Sequence, residues 1–279
     1  MAMPNMTNIL LESEIKHFLE EDGLLENMTY LQGLPSTKVH GQVFIKSDLV
    51  LAGVPYFNAV FNFLGVEGDL LSLEIEGGTY SKGTTFSFEL PFNVALSGER
   101  LALNLLHHAS RVATTTKSYV DKVEGHGIKI LDTRKTTPGL RTLEKYAVRI
   151  GGGENHRFSQ TDVWMIKDNH KQFFGGLKKA VDFFKKSGGF YRPIVCEVHT
   201  LEELAQATEL GLTHLMLDNF SPEGIKRAIQ HKEAWQTYEV SGGVRLSNIS
   251  EYCIEGVDAI STSQITSQTQ NVDISFKYE

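Results

Sequence analysis

The chain has 279 residues, 41% hydrophobic and 22% charged, with a formal net charge of −7. That size allows one large α/β domain or a barrel with an appendage, while the acidic balance argues against general nucleic-acid binding, which needs a basic footprint. No apolar stretch approaches the ~18 residues of a membrane span, and the first residues lack the basic-then-apolar order of an export signal.

Leu10, Leu11, Ile15, Phe18 and Leu19 recur at helical spacing and predict an amphipathic helix over 9–20. Alternating apolar and polar residues predict half-buried strands over 39–52, 70–76 and 84–90, punctuated by Gly77-Gly78 and Gly83. A Leu- and Ala-rich helix is expected over 98–123. The first ~110 residues read as a mixed α+β unit. After Gly127 short apolar runs at 128–131, 163–166, 194–198, 215–217, 238–240 and 259–260 alternate with helical segments. The later helices are expected over 173–186, 201–210, 222–231 and 246–254. Strands alternating with helices predict βαβ units and a parallel sheet.

The ends of those runs carry polar residues in succession: Asp132, Arg134 and Lys135, then Lys167, Glu197, Asp218, Ser241-Gly242-Gly243, and Ser261 with Ser263. A parallel barrel gathers strand C-termini at one mouth. A flat doubly wound sheet would spread six such deliveries along an edge wider than one small ligand, so a barrel is favoured.

From Asp132 to Lys171 there are eight Lys/Arg against five Asp/Glu, a basic island on an acidic chain. Arg134, Lys135, Arg157 and Lys167 are candidates for a polyanion clamp, since Arg offers a planar fork and Lys a compact charge. The bland alternative is a solvated surface. Arg141, Lys145 and Arg149, four apart, read as a solvated or supporting helix face. Glu197 and Asp218 have the chemistry to hold Mg²⁺, bind ribose hydroxyls or stabilise developing positive charge, or simply to neutralise their neighbours. His156 is a candidate anion donor or proton shuttle, with a structural histidine beside Gly151-Gly152-Gly153 a close second reading. Ser241-Gly242-Gly243 lets backbone N–H groups approach a phosphate closely. His107-His108 lack a metal-ligand partner at suitable spacing and read as structural. Cys196 and Cys253 form no CxxC pair; Cys196 reads as a buried, inert thiol. A cytoplasmic protein is expected. There is no GxGxxG fingerprint and no P-loop. The ligand should therefore carry several negative charges, at least one of them a phosphate.

Asp132-Thr-Arg-Lys-Thr-Thr-Pro-Gly-Leu-Arg141 resembles the hallmark of the quinolinate phosphoribosyltransferase family. So do Glu99-Arg100-Leu-Ala-Leu-Asn104, Gly151-Gly-Gly-Glu-Asn-His-Arg157, Ile166-Lys-Asp-Asn-His170, Glu197-Val198, Leu217-Asp-Asn219 and Glu239-Val-Ser-Gly-Gly243. The motifs occur in the family's order, and the resemblance extends from about residue 10 to the C-terminus. The resemblance implies an α+β sandwich over 1–110 and an incomplete, TIM-like α/β barrel over 111–265 that carries the active site, with 266–279 returning to the first domain. It implies an obligate homodimer. The implied reaction joins quinolinate to phosphoribosyl pyrophosphate with Mg²⁺, giving nicotinate mononucleotide, pyrophosphate and CO₂ in NAD biosynthesis.

By the same resemblance Thr133, Arg134, His156, Arg157 and Lys167 hold quinolinate, and Arg100 enters the partner subunit's site for the same ligand. Lys135, Glu197 and Asp218 serve catalysis at the sugar, pyrophosphate and metal. Ser241, Gly242, Gly243 and Ser263 bind phosphate together with Lys135. The chain departs from the family at Arg111, where a glycine is usual, and at Ser263 and Ser267, where the last phosphate loop usually has Gly and His. A molybdenum-transport-associated paralogue and a non-catalytic phosphate-ligand sensor are the competing readings.

Overall fold

The computed structural model describes residues 6–24, 28–188 and 193–278. In chain order the first elements are α1 (Met6–Glu21), α2 (Met28–Gly33), β1 (Lys38–Ile45), β2 (Leu49–Val50), α3 (Val54–Phe63), β3 (Thr79–Tyr80), β4 (Thr85–Pro91) and α4 (Phe92–Lys122). There follow β5 (Lys129–Leu131), α5 (Arg141–Ile150), β6 (Trp164–Ile166), α6 (Asp168–Phe174), α7 (Leu177–Ser187), β7 (Ile194–Val198) and α8 (Leu201–Glu209). The last are β8 (His214–Asp218), α9 (Pro222–Ile229), β9 (Thr237–Ser241), β10 (Ala259–Ser261), α10 (Gln264–Ser267) and β11 (Ile274–Tyr278). The chain divides into one unit of residues through 115 with 142–151 and the C-terminal segment from 269, and a second of 116–141 with 152–268.

The first unit is built on an antiparallel sheet in the order β11-β1-β4. β1 alternates in burial, and its inward residues Val43 and Ile45 sit under an aromatic cluster. Phe57, Phe61, Phe88 and Phe276 pack there edge-on or tilted, with centroids 5.0–6.4 Å apart. The first predicted helix is α1: Leu11, Ile15 and Leu19 are buried, while the side chain of Leu10 lies outside the described residues. α3 has no counterpart in the sequence reading, because it is apolar on nearly every face and shows no 3.6-residue stripe. Its N-terminus is held by Glu76, whose carboxylate accepts the Gly53 and Val54 backbone N–H groups at 2.8 and 2.9 Å.

That use of Glu76 explains one correction. The alternation over 70–76 is no strand; Leu73–Ile75 form a single 3₁₀ turn capped by Ser72, with Leu73 exposed. The predicted strand over 39–52 is divided between β1 and β2. α4 begins directly after Pro91, six residues before the expected start at 98. His107 and His108 are structural: Nε2 of each lies 2.6 Å from the Val272 carbonyl and 2.9 Å from Glu144 Oε1, respectively. Lys145 is not solvated but 1% exposed, beside the fully buried Glu144.

In the second unit six parallel strands pair in the order β5-β10-β9-β8-β7-β6. From β6 to β10 the spatial order follows the sequence, and β5 then lies beside β10. This cyclic order is that of an α/β barrel with one seam, between β5 and β6. A single parallel bridge, Leu131 to Glu154, lies at that seam. Helix starts are set by short side chains: Thr200 accepts from Glu203 N–H at the head of α8, and Ser221 from Gly224 N–H, with Pro222 following, at α9. The predicted helix over 173–186 is two, α6 and α7, broken at Gly175-Gly176. The helix expected over 246–254 is only the 3₁₀ turn Ile249–Tyr252, since Asn248 takes the Arg245 N–H and donates to the Gly243 carbonyl. Among the described residues no helix is long and apolar enough to cross a membrane.

Candidate active site

Two adjoining lobes open at the C-terminal ends of the parallel strands. The larger, about 480 Å³, is lined by Arg134, His156, Arg157, Lys167 and Glu197 over a floor of Met165 and Met216. The smaller, about 320 Å³, is lined by Asn219, Gly242, Gly243, Arg245, Ser263 and Gln264. Thr133, Lys135, Asp218, Ser241 and Ser261 belong to both. The fold thus brings together every singled-out residue of the barrel unit. Arg100 is different: it is exposed on α4 and lines neither lobe.

At the seam the loop residue Glu154 accepts the Asp132 N–H at 3.2 Å and donates its own N–H to the Ile130 carbonyl at 2.8 Å. Asp132, fully buried, accepts from Asn155 Nδ2 at 2.6 Å and from the His156 backbone N–H at 2.9 Å. That carboxylate ties the loop after β5 to the Gly-rich loop before β6. Thr133 Oγ1 accepts the Lys135 N–H at 3.0 Å, and Thr266 Oγ1 donates to the Lys135 carbonyl at 2.8 Å. Together these bonds fix the stretch from which Arg134 and Lys135 project.

Arg157 Nη1 donates to the carbonyls of Val163 at 2.9 Å and Gln160 at 3.2 Å. Burial, and then the positive charge of Arg134, hold its guanidinium below the usual arginine range, against the pull of Glu197 and Asp162. Arg134 Nε is itself buried without a hydrogen-bond partner. Two guanidinium groups close enough to repel one another, one with a donor unspent, have the chemistry to take a dianion. Lys167, between β6 and α6, donates to Glu197 Oε1 at 2.7 Å.

In the smaller lobe, backbone geometry dominates. Asn219 is the one non-glycine residue with positive φ (58°) among the described residues; its N–H donates to the Ser241 carbonyl at 2.8 Å. Its side chain donates to Asp218 Oδ2 at 2.8 Å. Gly242 has φ 87°, and a Cβ there would meet Asn219 Oδ1 at 2.3 Å, so only glycine fits. Ser261 Oγ is buried and has no partner. Ser267 donates to the Ser263 carbonyl at 2.7 Å, a local helical bond. His199 Nε2 lies 2.7 Å from Asp168 Oδ1, and its Nδ1 is 3.7 Å from Asp218 Oδ2.

Among the described residues no three His, Cys, Asp or Glu side chains converge as a metal site. Glu197 and Asp218 line the same lobe, and a pair of carboxylates has the chemistry for a hard cation that keeps most of its ligands as water and phosphate oxygens. Cys196 is buried and its thiol is pushed up to about 12 by burial, so it is inert.

The sequence reading missed His199, Glu239 and the Met165–Met216 floor. Period-two alternation held the signal: Glu239 and Met216 each stand two residues before a recognised site residue on the same strand face.

Family models described as quinolinate phosphoribosyl transferase match residues 24–110 (N-terminal domain) and 112–277 (C-terminal domain). A probable carboxylating nicotinate-nucleotide pyrophosphorylase of Bacillus subtilis is 35% identical over 272 residues, 97% of this chain and 94% of its own. The human carboxylating nicotinate-nucleotide pyrophosphorylase is 34% identical, covering 84% of this chain and 80% of that protein. The crystal structure of NadC from Streptococcus pyogenes superposes with TM-score 0.89 at 33% identity, covering 96% of this chain and 97% of that one. The Ehrlichia chaffeensis nicotinate-nucleotide pyrophosphorylase gives TM-score 0.86 at 33% identity, covering 99% and 100%. The chain belongs to the quinolinate phosphoribosyl transferase family.

Proposed function

We propose that this protein transfers the phosphoribosyl group of phosphoribosyl pyrophosphate to quinolinate, releasing pyrophosphate and CO₂ and leaving nicotinate mononucleotide. The observation that carries this reading is the division of one mouth into a two-arginine lobe and a glycine-turn lobe that meet at Lys135 and Asp218. A dicarboxylate suits the first and a 5′-phosphate the second. The names of the relatives favour this reading over the molybdenum-transport-associated paralogue and over a phosphate sensor.

Arg134, Arg157 and Lys167 neutralise the quinolinate carboxylates, with Thr133 as a further donor and His156 lining the lobe beside them. The ring nitrogen attacks the anomeric carbon as the bond to pyrophosphate oxygen breaks. Glu197 and Asp218 face the positive charge that develops on the sugar, and Lys135 offsets charge on the leaving group. Ser241, Gly242, Gly243 and Ser263 hold the 5′-phosphate. Mg²⁺, if held by Glu197 and Asp218 directly or through water, supplies charge neutralisation on the pyrophosphate oxygens. Once the nitrogen is quaternary, the bond from C2 to its carboxylate breaks. CO₂ leaves, and the electron pair left at C2, stabilised by the adjacent cationic nitrogen, takes a proton.

The working form is a homodimer in the cytoplasm, in which Arg100 of one subunit reaches the partner's quinolinate lobe. The exposure of Arg100 and the free thiols support these two points. Turnover with quinolinate, phosphoribosyl pyrophosphate and Mg²⁺, with nicotinate as control, tests the reaction; absence of CO₂ and mononucleotide from quinolinate sinks it. Mixing inactive Arg100→Ala and Asp218→Asn subunits should restore activity, and no restoration refutes the shared site.

A further inference from the structure

Glu239 lies on β9, two residues before the Ser241 turn and on the same strand face, and the mechanism above gives it no task. Its Oε2 lies 3.3 Å from His156 Nε2, with side chains 14% and 10% exposed. On the other side of the ring, His156 Nδ1 accepts the Arg157 backbone N–H at 2.7 Å. A neutral imidazole has one N–H, and a nitrogen that accepts carries none. The ring proton is therefore on Nε2, 3.3 Å from a Glu239 oxygen able to accept it. A doubly protonated ring would set two N–H donors head to head at Nδ1. The second Glu239 oxygen, Oε1, is buried without a partner. A buried acceptor left unmatched costs stability and calls for a reason beyond packing.

We infer that Glu239 is a positioning residue that holds His156 in the Nε2–H tautomer with its ring plane fixed. His156, its one N–H turned to Glu239, then lines the quinolinate lobe with a fixed ring and braces the Arg157 backbone through Nδ1, while Arg134, Arg157 and Lys167 supply the charge. In hydrolytic triads a carboxylate likewise fixes the tautomer of a histidine, although there the second ring nitrogen is left free. This inference rests on the proposed quinolinate reaction for its consequence, though not for its geometry.

The test combines nitrogen NMR of histidine-labelled full-length protein with steady-state kinetics, the His156 signals being assigned by their loss in His156→Gln. The unaltered protein should show a protonated Nε2 and a bare Nδ1. Glu239→Ala should give an averaged ring signal and raise the quinolinate KM about tenfold or more, with the phosphoribosyl pyrophosphate KM within about twofold. Glu239→Gln keeps an acceptor oxygen and should restore both the tautomer and most of the quinolinate KM. A protonated Nδ1 in the unaltered protein, an unchanged tautomer and KM in Glu239→Ala, or equal damage in Gln and Ala each overturns the inference. Should Glu239→Ala fail to fold, Glu239→Asp withdraws the carboxylate by one methylene, and a retained tautomer there overturns it equally. If the unaltered protein does not turn over quinolinate, the reaction is wrong, and the ring signals alone decide the tautomer.

Discussion

Replacing Gly242 by alanine probes the smaller lobe with a perturbation whose size follows from geometry. The residue sits at φ 87°, where an L side chain costs about 1–2 kcal/mol. The new methyl would also lie 2.3 Å from Asn219 Oδ1 and 2.8 Å from the Asn219 backbone nitrogen. Asn219 has little room to retreat, since it is bonded to Ser241 O and to Asp218 Oδ2, each at 2.8 Å. Overpacking of this kind adds about 1–3 kcal/mol, so the total is roughly 2–5 kcal/mol. If the turn holds, the melting temperature should fall by roughly 5–15 °C. If the turn yields, its N–H groups leave the phosphate position and the phosphoribosyl pyrophosphate KM should rise about tenfold or more. Because Gly242 lines only the smaller lobe, the quinolinate KM should move less. Thermal unfolding and two-substrate kinetics on one preparation measure both. A variant with unaltered melting temperature and unaltered phosphoribosyl pyrophosphate KM refutes the reasoning.

Arg134→Ala should raise the quinolinate KM about ten- to hundredfold, the worth of a charge-assisted bond, whereas Lys135→Ala should act mainly on phosphoribosyl pyrophosphate and kcat; identical kinetic effects would contradict the two-lobe division. Asp132→Ala leaves the Asn155 amide and the His156 N–H without their acceptor and should destabilise the protein by about 2–4 kcal/mol, read by urea unfolding. Gly41→Ala sets a methyl 2.7 Å from the Phe88 ring and 2.9 Å from Phe276. It should cost about 1–3 kcal/mol while leaving both KM values alone, and a kinetic change there would mean the core reaches the site.

Much of the mouth was legible because strand ends are marked in the chain. An apolar run followed by a charge or a glycine gave Arg134, Lys167, Glu197, Asp218 and the Ser241 turn, and the fold assembles them. Elements whose signal is not periodic were lost. α3 is buried on nearly all sides, so Val54–Phe63 shows no stripe. The alternation over 70–76 mimicked a strand, although Glu76 is committed to the head of α3. Lys145 looked like one of three surface cations four residues apart, and only packing reveals that it is buried. His156 was recognised as a candidate donor, but its proton position depends on Glu239, 83 residues away in sequence and near only in the folded barrel.

The seam between β5 and β6 gives the two halves of the mouth different mechanical character. The phosphate lobe is mounted on β8, β9 and β10, where strand-to-strand bonding fixes the backbone. The two arginines of the other lobe are mounted on loops braced by the Asp132 carboxylate, at a seam with one backbone bridge. A loop braced by a side chain tolerates a change of length or residue without breaking a ladder. The scaffold therefore keeps its grip on a sugar phosphate while the seam remains free to be recut for a different acid. Efforts to change the acceptor of this enzyme should begin at residues 132–135 and 152–163, not at the glycine turn.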